Sequence, residues 1–443
     1  MSTVTLDTAR LEARFRPLEE SLPESAVLTE ADRCYYCYDA PCVVACPTSI
    51  DIPGFIRAIA VGQPRRAAER ILQANPLGAS CSRVCPVETL CEQHCVRAEH
   101  DGGAVRIGLL QRQAMAHFSF TQQSESLAIM SGKRVAVVGA GPAGMTVAHL
   151  LAEVGCGVDV FEAKPFAGGL NESGIAAYKM LDNAAQQEAN FLLTHALIRL
   201  HCGVALGQSL HLQQLRRDYD GVFLGVGLQG QQRLGIAGEN LAGVFSAVPY
   251  IAQMRRGEPV SVGQTVLVIG GGMTAMDIAI QARLLGAREV HVCYRRGVEA
   301  MGASAREQQM ARDQGVYIHD YLRPIAIEGK AGICQSVLLQ PTALSEGRLI
   351  DVGEPLRWMI DQVFTAIGQC MADSVGEEDM ADLHFDQWGK IAVDAQFRTN
   401  LKGIWAGGDC TGRSDDLTVH AVADAKAAVL SMMVELRTEE KES

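Results

Sequence analysis

The stretch KRVAVVGAGPAGMTVAHLLAEVG, residues 133–155, decides the architecture. An apolar strand (135–138) runs into G-x-G-x-x-G, formed by Gly139, Ala140, Gly141, Pro142, Ala143 and Gly144, and a helix-length apolar segment follows. In such a turn the first glycine makes the bend, the second lets backbone approach a pyrophosphate, and the third packs helix against strand. The next strand, VDVFE, ends at Glu162, about 20 residues beyond the glycines, where an acid meets ribose hydroxyls. Strand, turn, helix, strand and acid together describe a Rossmann-like βαβ unit.

The pattern returns in QTVLVIGGGMTAMDIAIQARLLG, residues 264–286. Two such units imply two doubly wound domains. After the following strand, HVCY, come Arg295 and Arg296. NAD enzymes tend to keep an acid there, whereas a basic pair suits the 2′-phosphate of NADP. One arginine stacked on adenine and one solvated is the competing reading. Near the C-terminus GIWAGGD (403–409) is a strand ending in Gly-Asp, and Asp409 completes the second fingerprint of a two-dinucleotide-fold flavoprotein. One dinucleotide fold inserted in the other brings a nicotinamide against a flavin, which supports hydride transfer from NAD(P)H to FAD. Residues 131–443 contain no C-x2-C pair, so the disulfide reductase route is missing there and electrons are expected to leave elsewhere.

That exit lies upstream. Of 14 cysteines, eight fall between Cys34 and Cys95. The first half, Cys34-x2-Cys37-x4-Cys42-x3-Cys46-Pro47, resembles the ferredoxin run C-x2-C-x2-C-x3-C-P with two extra residues. The second half is Cys81-x3-Cys85-Pro86-x5-Cys91-x3-Cys95. Between them Phe55, Ile56, Ile59 and Ala60, then Ala67, Ala68, Ile71 and Leu72, recur at helical spacing. Short helices strapped by two [4Fe–4S] clusters are the expectation, and zinc held by four cysteines is the rival. A set of disulfides would need an oxidising compartment. The N-terminus has no apolar signal region, so a cytoplasmic location is expected. His94 and His100 lie nearby and are expected at the surface.

Composition limits the remaining classes. The 443 residues suit roughly three domains. A net charge of −12 argues against nucleic acid as partner. The uncharged run at residues 135–151 is broken by three glycines and a proline, so no membrane association is expected. The fold class is therefore α/β, a two-dinucleotide-binding-domain flavoprotein preceded by an α-helical iron–sulfur domain. Expected boundaries are 1–130 for iron–sulfur, 131–255 and 363–443 for FAD, and 256–362 for NAD(P), with 121–132 as a polar linker.

The runs RCYYCYDAPCVVACP (33–47), DIPGFI (51–56), NPLG (75–78) and RVCP (83–86), with IGLLQ (107–111), resemble the flavin/iron–sulfur part of NAD(P)-dependent dihydropyrimidine dehydrogenase. The similarity is nearest to the separate bacterial electron-input subunit and covers nearly the whole chain. The glutamate synthase small subunit shares this architecture, with a shorter second cysteine group. The resemblance implies that Cys34, Cys37, Cys42 and Cys95 hold one cluster. It implies Cys46, Cys85, Cys91 and the amide of Gln111 for the other, leaving Cys81 a bystander, although chemistry alone would choose Cys81. For FAD it points to residues 139–144, Glu162, Ala163, Lys164, Gly169, Leu170, Asp409, Leu417 and Thr418. Lys179 stands where the family has an arginine beside the flavin.

For the nicotinamide nucleotide the resemblance points to Gly272, Met273, Thr274, Ala275, Arg295, Arg296, Ala366, Ile367 and Gly368. A further phosphate-binding arginine of the family is Gly302 here, and some bacterial subunits use NADH, so NADPH and NADH both stand. The long enzyme continues into an FMN-binding barrel that reduces uracil and thymine, whereas this sequence stops at Ser443. The implied partner is a separate FMN-containing barrel subunit carrying the pyrimidine site, in a hetero-oligomer, and no catalytic acid or base is expected in this chain. The rivals are a glutamate synthase small subunit and a non-catalytic zinc-knotted scaffold.

Overall fold

A computed structural model describes residues 2–4, 15–100, 102–120, 127–181, 183–371 and 377–442. Residues 121–126 of the expected linker lie outside them. The chain forms two compact units. One comprises Glu20–Glu172, Asp182–Gly230 and Cys370–Ser443; the other comprises Met1–Glu19, Ser173–Leu181 and Gln231–Gln369.

The first unit holds both the cysteine-rich segment and the first glycine loop. Its parallel sheet has the strand order Ile404–Ala406, Gly221–Leu224, Arg134–Val138, Gly157–Glu162, Ile198–Cys202. Residues 135–138 and 221–224 are buried throughout, as strands covered on both faces must be. Val137, Leu151, Phe223, Trp405 and Met432 form the core on one face, under helices Pro142–Glu153 and Thr418–Glu442. Ala136, Val138, Leu224, Ile404 and Cys410 form the core on the other.

The cysteine-rich segment is helical, as its periodicity indicates. Helices Glu24–Ala31, Ile52–Ala60, Pro64–Ala74 and Ile107–Ala116 bury Ala31, Phe55, Ile56, Ile71 and Leu110 in a core of their own. This core is continuous with the flavin-type part at several points. Leu77 joins the cluster of Val137 and Leu151. Phe118 and Phe120 pack edge-on against Phe191, with centroids 5.8 and 5.4 Å away, a geometry that adds to simple burial.

The second unit has a five-stranded parallel sheet ordered Val316–His319, Glu289–Cys293, Thr265–Ile269, Gln362–Thr365, Val244–Ser246. An antiparallel sheet of Leu322–Lys330, Ile333–Ser345, Arg348–Asp351 and Leu356–Met359 accompanies it. The unit is wider than the expected 256–362. Val244 pairs with Val363 in the parallel sheet, so backbone hydrogen bonding draws residues 244–246 into it. Ala176, Ala177 and Tyr178 join its core.

Of the six scattered cysteines, Cys156, Cys293, Cys334 and Cys410 are buried, but Cys202 is exposed and Cys370 half-buried. Among the described residues no helix is long and apolar enough to cross a membrane.

Candidate cofactor sites

In the first unit, Arg134–Val138 is the central strand and delivers Gly139 to the carboxyl edge, where α/β sheets bind ligands. Gly139 has φ +99, and a Cβ there would lie 2.3 Å from the Gly225 carbonyl oxygen. A Cβ at Gly144 would sit 1.8 Å from the Gly139 oxygen. Gly141 faces open space, with only the Gly169 Cα near, at 3.8 Å. Pro142 opens the helix and no side chain caps it, so its first N–H groups can meet a phosphate. The Glu162 carboxylate accepts from the N–H groups of Ala140 and Lys164, both at 2.8 Å, and is held under the loop with Ala163 between.

The other expected FAD residues gather at the same place. Gly169, φ +57, abuts Gly141. A Cβ at Gly408 would lie 3.1 Å from that of Ala143, so Asp409 is carried beside the loop. Burial, with Asp416 and Asp424 nearby, raises the Asp409 carboxyl to about 6 against the pull of Lys390. Thr418, after Leu417 at the start of the last helix, donates its hydroxyl to Asn171 Oδ1 at 2.7 Å. Buried Asn171 keeps an unpartnered Nδ2. A cradle that side chains would fill, an uncapped helix start and a spare donor fit a bound dinucleotide.

Lys179 lies in the second unit. Its ammonium reaches Asp277 at 2.7 Å and Glu307 at 2.9 Å, and Tyr178 donates its hydroxyl to Asp277 at 2.8 Å. Burial opposes its charge, but the two carboxylates outweigh that and hold the ammonium above its ordinary value. It is thus a half-buried cation paired with two carboxylates.

The second glycine loop has the same logic. Gly270 has φ +145, and a Cβ would come 2.1 Å from the Ala366 oxygen. At Gly271 it would strike the Tyr294 ring, whereas Gly272 has nothing within 4 Å. Helix Met273–Leu285 begins uncapped, with Met273, Thr274 and Ala275 in its first turn. Ala366 binds the strand end through its N–H to Ile269, and Ile367 and Gly368 follow it. Arg295 and Arg296 are exposed just past the strand Glu289–Cys293, with the Arg296 guanidinium 5.6 Å from the Tyr294 ring centre. A Cβ at Gly302 would lie 3.7 Å from Gly272 Cα, so a side chain there would overhang the turn.

The thiols form two sets. Cys34, Cys37, Cys42 and Cys95 line one cavity with Ile52, Ile56, Val105 and Ile107. Burial, reinforced by Cys95 and Cys34, pushes the Cys42 thiol up to about 12, and Cys34 is raised by burial too. Cys85 is raised by its hydrogen bond with Cys81, by burial, and by Cys91 and Cys46. Such crowded thiols become thiolates only with a cation to meet them. Among the described residues no three His, Cys, Asp or Glu side chains could hold a single ion; a cavity edged by separated thiols suits a cluster with one ligand per corner. Gln111 is buried, its Nε2 donating to the Gly78 carbonyl at 2.9 Å. Cys81 touches Cys85, so position alone does not make it a bystander. His94 and His100 are exposed.

A buried carboxylate and a half-buried ammonium escaped the sequence reading. Glu188 is wholly buried and accepts from Ala79 and Ser80. Lys426 donates to the carbonyls of Thr48 and Ala74. The available signal was helical phase. Glu188 sits in the apolar stripe of Ala184, Ala185, Ala189 and Leu192, and Lys426 flanks that of Val422, Ala425 and Val429.

Comparison with known proteins agrees with this geometry. The family described as dihydropyrimidine dehydrogenase domain II, 4Fe-4S cluster, matches residues 11–123, and the pyridine nucleotide-disulphide oxidoreductase family matches residues 130–425. The chain is 33% identical over 444 residues to the glutamate synthase (NADPH) small chain of Escherichia coli K12, covering 95% of this chain and 93% of that one. It is 32% identical over 406 residues to the NAD-dependent dihydropyrimidine dehydrogenase subunit PreT of Escherichia coli O157:H7, covering 90% and 92%. The solved structure of Mycobacterium tuberculosis FprA in complex with NADPH shares the fold, with TM-score 0.60 and 20% identity over 70% of this chain and 86% of that one. The chain belongs to the pyridine nucleotide-disulphide oxidoreductases that carry a dihydropyrimidine dehydrogenase-type 4Fe-4S domain, and it is an NAD(P)H-dependent flavoprotein oxidoreductase subunit.

Proposed function

We propose that the chain is the electron-input subunit of a cytoplasmic dihydropyrimidine dehydrogenase, serving a separate FMN-containing barrel subunit that reduces uracil or thymine to the 5,6-dihydro form. When bound, FAD accepts hydride from the nicotinamide and two [4Fe–4S] clusters carry electrons singly. The observation that carries this reading is the packing of both thiol sets and the flavin-type cradle in one compact unit.

Each group has a defined task. Residues 139–144 give backbone N–H groups and space to the pyrophosphate, while Glu162 is fixed by two main-chain donors for the ribose. Asp409, Leu417 and Thr418 surround the flavin end, next to the unpartnered Asn171 amide. Gly272 to Ala275 receive the second dinucleotide, and exposed Arg295 and Arg296 supply cations for a 2′-phosphate. Cys34, Cys37, Cys42 and Cys95 hold one cluster; Cys46, Cys85, Cys91 and Gln111 hold the other.

The purified chain is expected to reduce artificial dyes with NADPH or NADH and to leave uracil unchanged until the barrel subunit is added. Uracil turnover by this chain alone would defeat the split. A second reading, a glutamate synthase small subunit, is favoured by the 93% coverage of that relative. Co-purification with a large glutaminase-containing protein would select it.

A further inference from the structure

The helix Thr418–Glu442 opens beside the flavin-type cradle, where Thr418 meets Asn171. About two turns later it places Lys426 against the cysteine-rich helices. The Lys426 ammonium donates to the Ala74 carbonyl at 2.7 Å and to the Thr48 carbonyl at 3.1 Å. Ala74 ends the helix Pro64–Ala74, whose carbonyl terminus favours a cation. Thr48 is buried, and its hydroxyl lies 3.4 Å from Cys46 Sγ. Burial pulls the Lys426 ammonium below its ordinary value, and Cys46, within electrostatic reach, acts in the opposite sense. Both of its hydrogen-bond partners are neutral carbonyls, so its charge stays available to its surroundings. Adjacent Asn75 is wholly buried with an unpartnered Nδ2, a second spare donor in this region.

We infer that Lys426 is a positioning residue for the cluster that Cys46 helps to hold, and that its fixed positive charge biases this cluster toward the reduced state. Adding one electron to a thiolate-ligated cluster adds one negative charge, and a cation held nearby at low dielectric stabilises that form. The same two hydrogen bonds tie the flavin-side helix to the cysteine-rich helices, so the cation cannot drift away. The inference rests on the proposed second cluster of Cys46, Cys85, Cys91 and Gln111.

The test uses the full chain with clusters reconstituted anaerobically, as wild type, Lys426→Met, Lys426→Gln and Lys426→Arg. Iron per chain is measured beside a dithionite titration followed by electron paramagnetic resonance. In the Met and Gln variants the reduced-to-oxidised ratio of one cluster at fixed potential is expected to fall on the order of tenfold. That is about 59 mV for a one-electron couple. The other cluster should not move, and Lys426→Arg should stay near wild type. Unchanged potentials with full iron in Met and Gln would overturn the inference. If both neutral variants lose one cluster while Arg keeps it, the charge is required and the inference stands; loss in Arg too would mean packing alone and would end it. A wild-type chain holding only one cluster would instead overturn the ligand assignment.

Discussion

Ser80 gives both its main-chain N–H and its hydroxyl to Glu188, at 3.1 and 2.5 Å. Ala79 adds a third donor at 2.8 Å. The wholly buried carboxylate thereby pins the start of helix Gly78–Val84, which leads to Cys85, onto helix Ala184–Leu193.

Burial raises the Glu188 carboxyl from 4.5 to about 7, in spite of those donors. A carboxyl raised on folding contributes stability that is full below its unfolded value and lost as pH climbs through the folded one. The window is therefore pH 4.5 to 7, and the size on the order of 3 kcal/mol. Glu188→Gln should flatten the fall in unfolding free energy between pH 5 and 8, measured by urea titration. Glu188→Ala should cost about 2–4 kcal/mol by orphaning buried donors. An unaltered pH slope in Gln would refute the coupling.

The two glycine loops should respond oppositely to one added methyl. Gly144→Ala puts a Cβ 1.8 Å from a backbone oxygen, and its cost should reach about 3 kcal/mol. The purified variant should lack flavin absorbance and melt early. Gly272→Ala meets nothing within 4 Å, so it should fold, keep flavin and raise the KM for the nicotinamide nucleotide alone.

Replacing Arg295 and Arg296 with Ala should weaken NADPH roughly 10- to 100-fold, the loss of one to two charged contacts. NADH should change little. Equal losses for both nucleotides, read from dye-reduction kinetics, would remove any 2′-phosphate contact.

Under the proposed ligand assignment, Gln111 takes a position of the second cluster that Cys81 could otherwise fill. Gln111→Ala should shift the potential or lower the iron content of one cluster, whereas Cys81→Ser should leave both intact. Loss of iron from Cys81→Ser alone would reverse the assignment.

Much of this was legible because local chemistry dictates it. A strand ending in Gly139 and Gly144 can close only with glycine at both places, and cysteine spacing marked the iron–sulfur segment, while the division into two thiol sets came from the resemblance. The second unit's borders were not legible, since Val244–Ser246 is a short apolar strand whose partner, Gln362–Thr365, lies over a hundred residues away. The antiparallel sheet built on Leu322–Lys330 went unread for a similar reason: its pairing with Ile333–Ser345 carries bulges that break simple alternation. Glu188 and Lys426 were hidden because a charge on an amphipathic helix is ordinarily solvated, and only tertiary packing buries Glu188 and half-buries Lys426. Lys179, which the resemblance sets beside a flavin, pairs with Asp277 and Glu307; Glu307 lies over a hundred residues away along the chain, and such contacts are not readable from the sequence.

The most direct measurement is an anaerobic titration of the purified chain with NADPH, following flavin absorbance and cluster paramagnetism together, with uracil present. The expected result is a bleached flavin, reduced signals from two clusters, and uracil untouched. A colourless zinc protein, a flavin that bleaches while the clusters stay oxidised, or consumption of uracil would contradict an electron-input subunit.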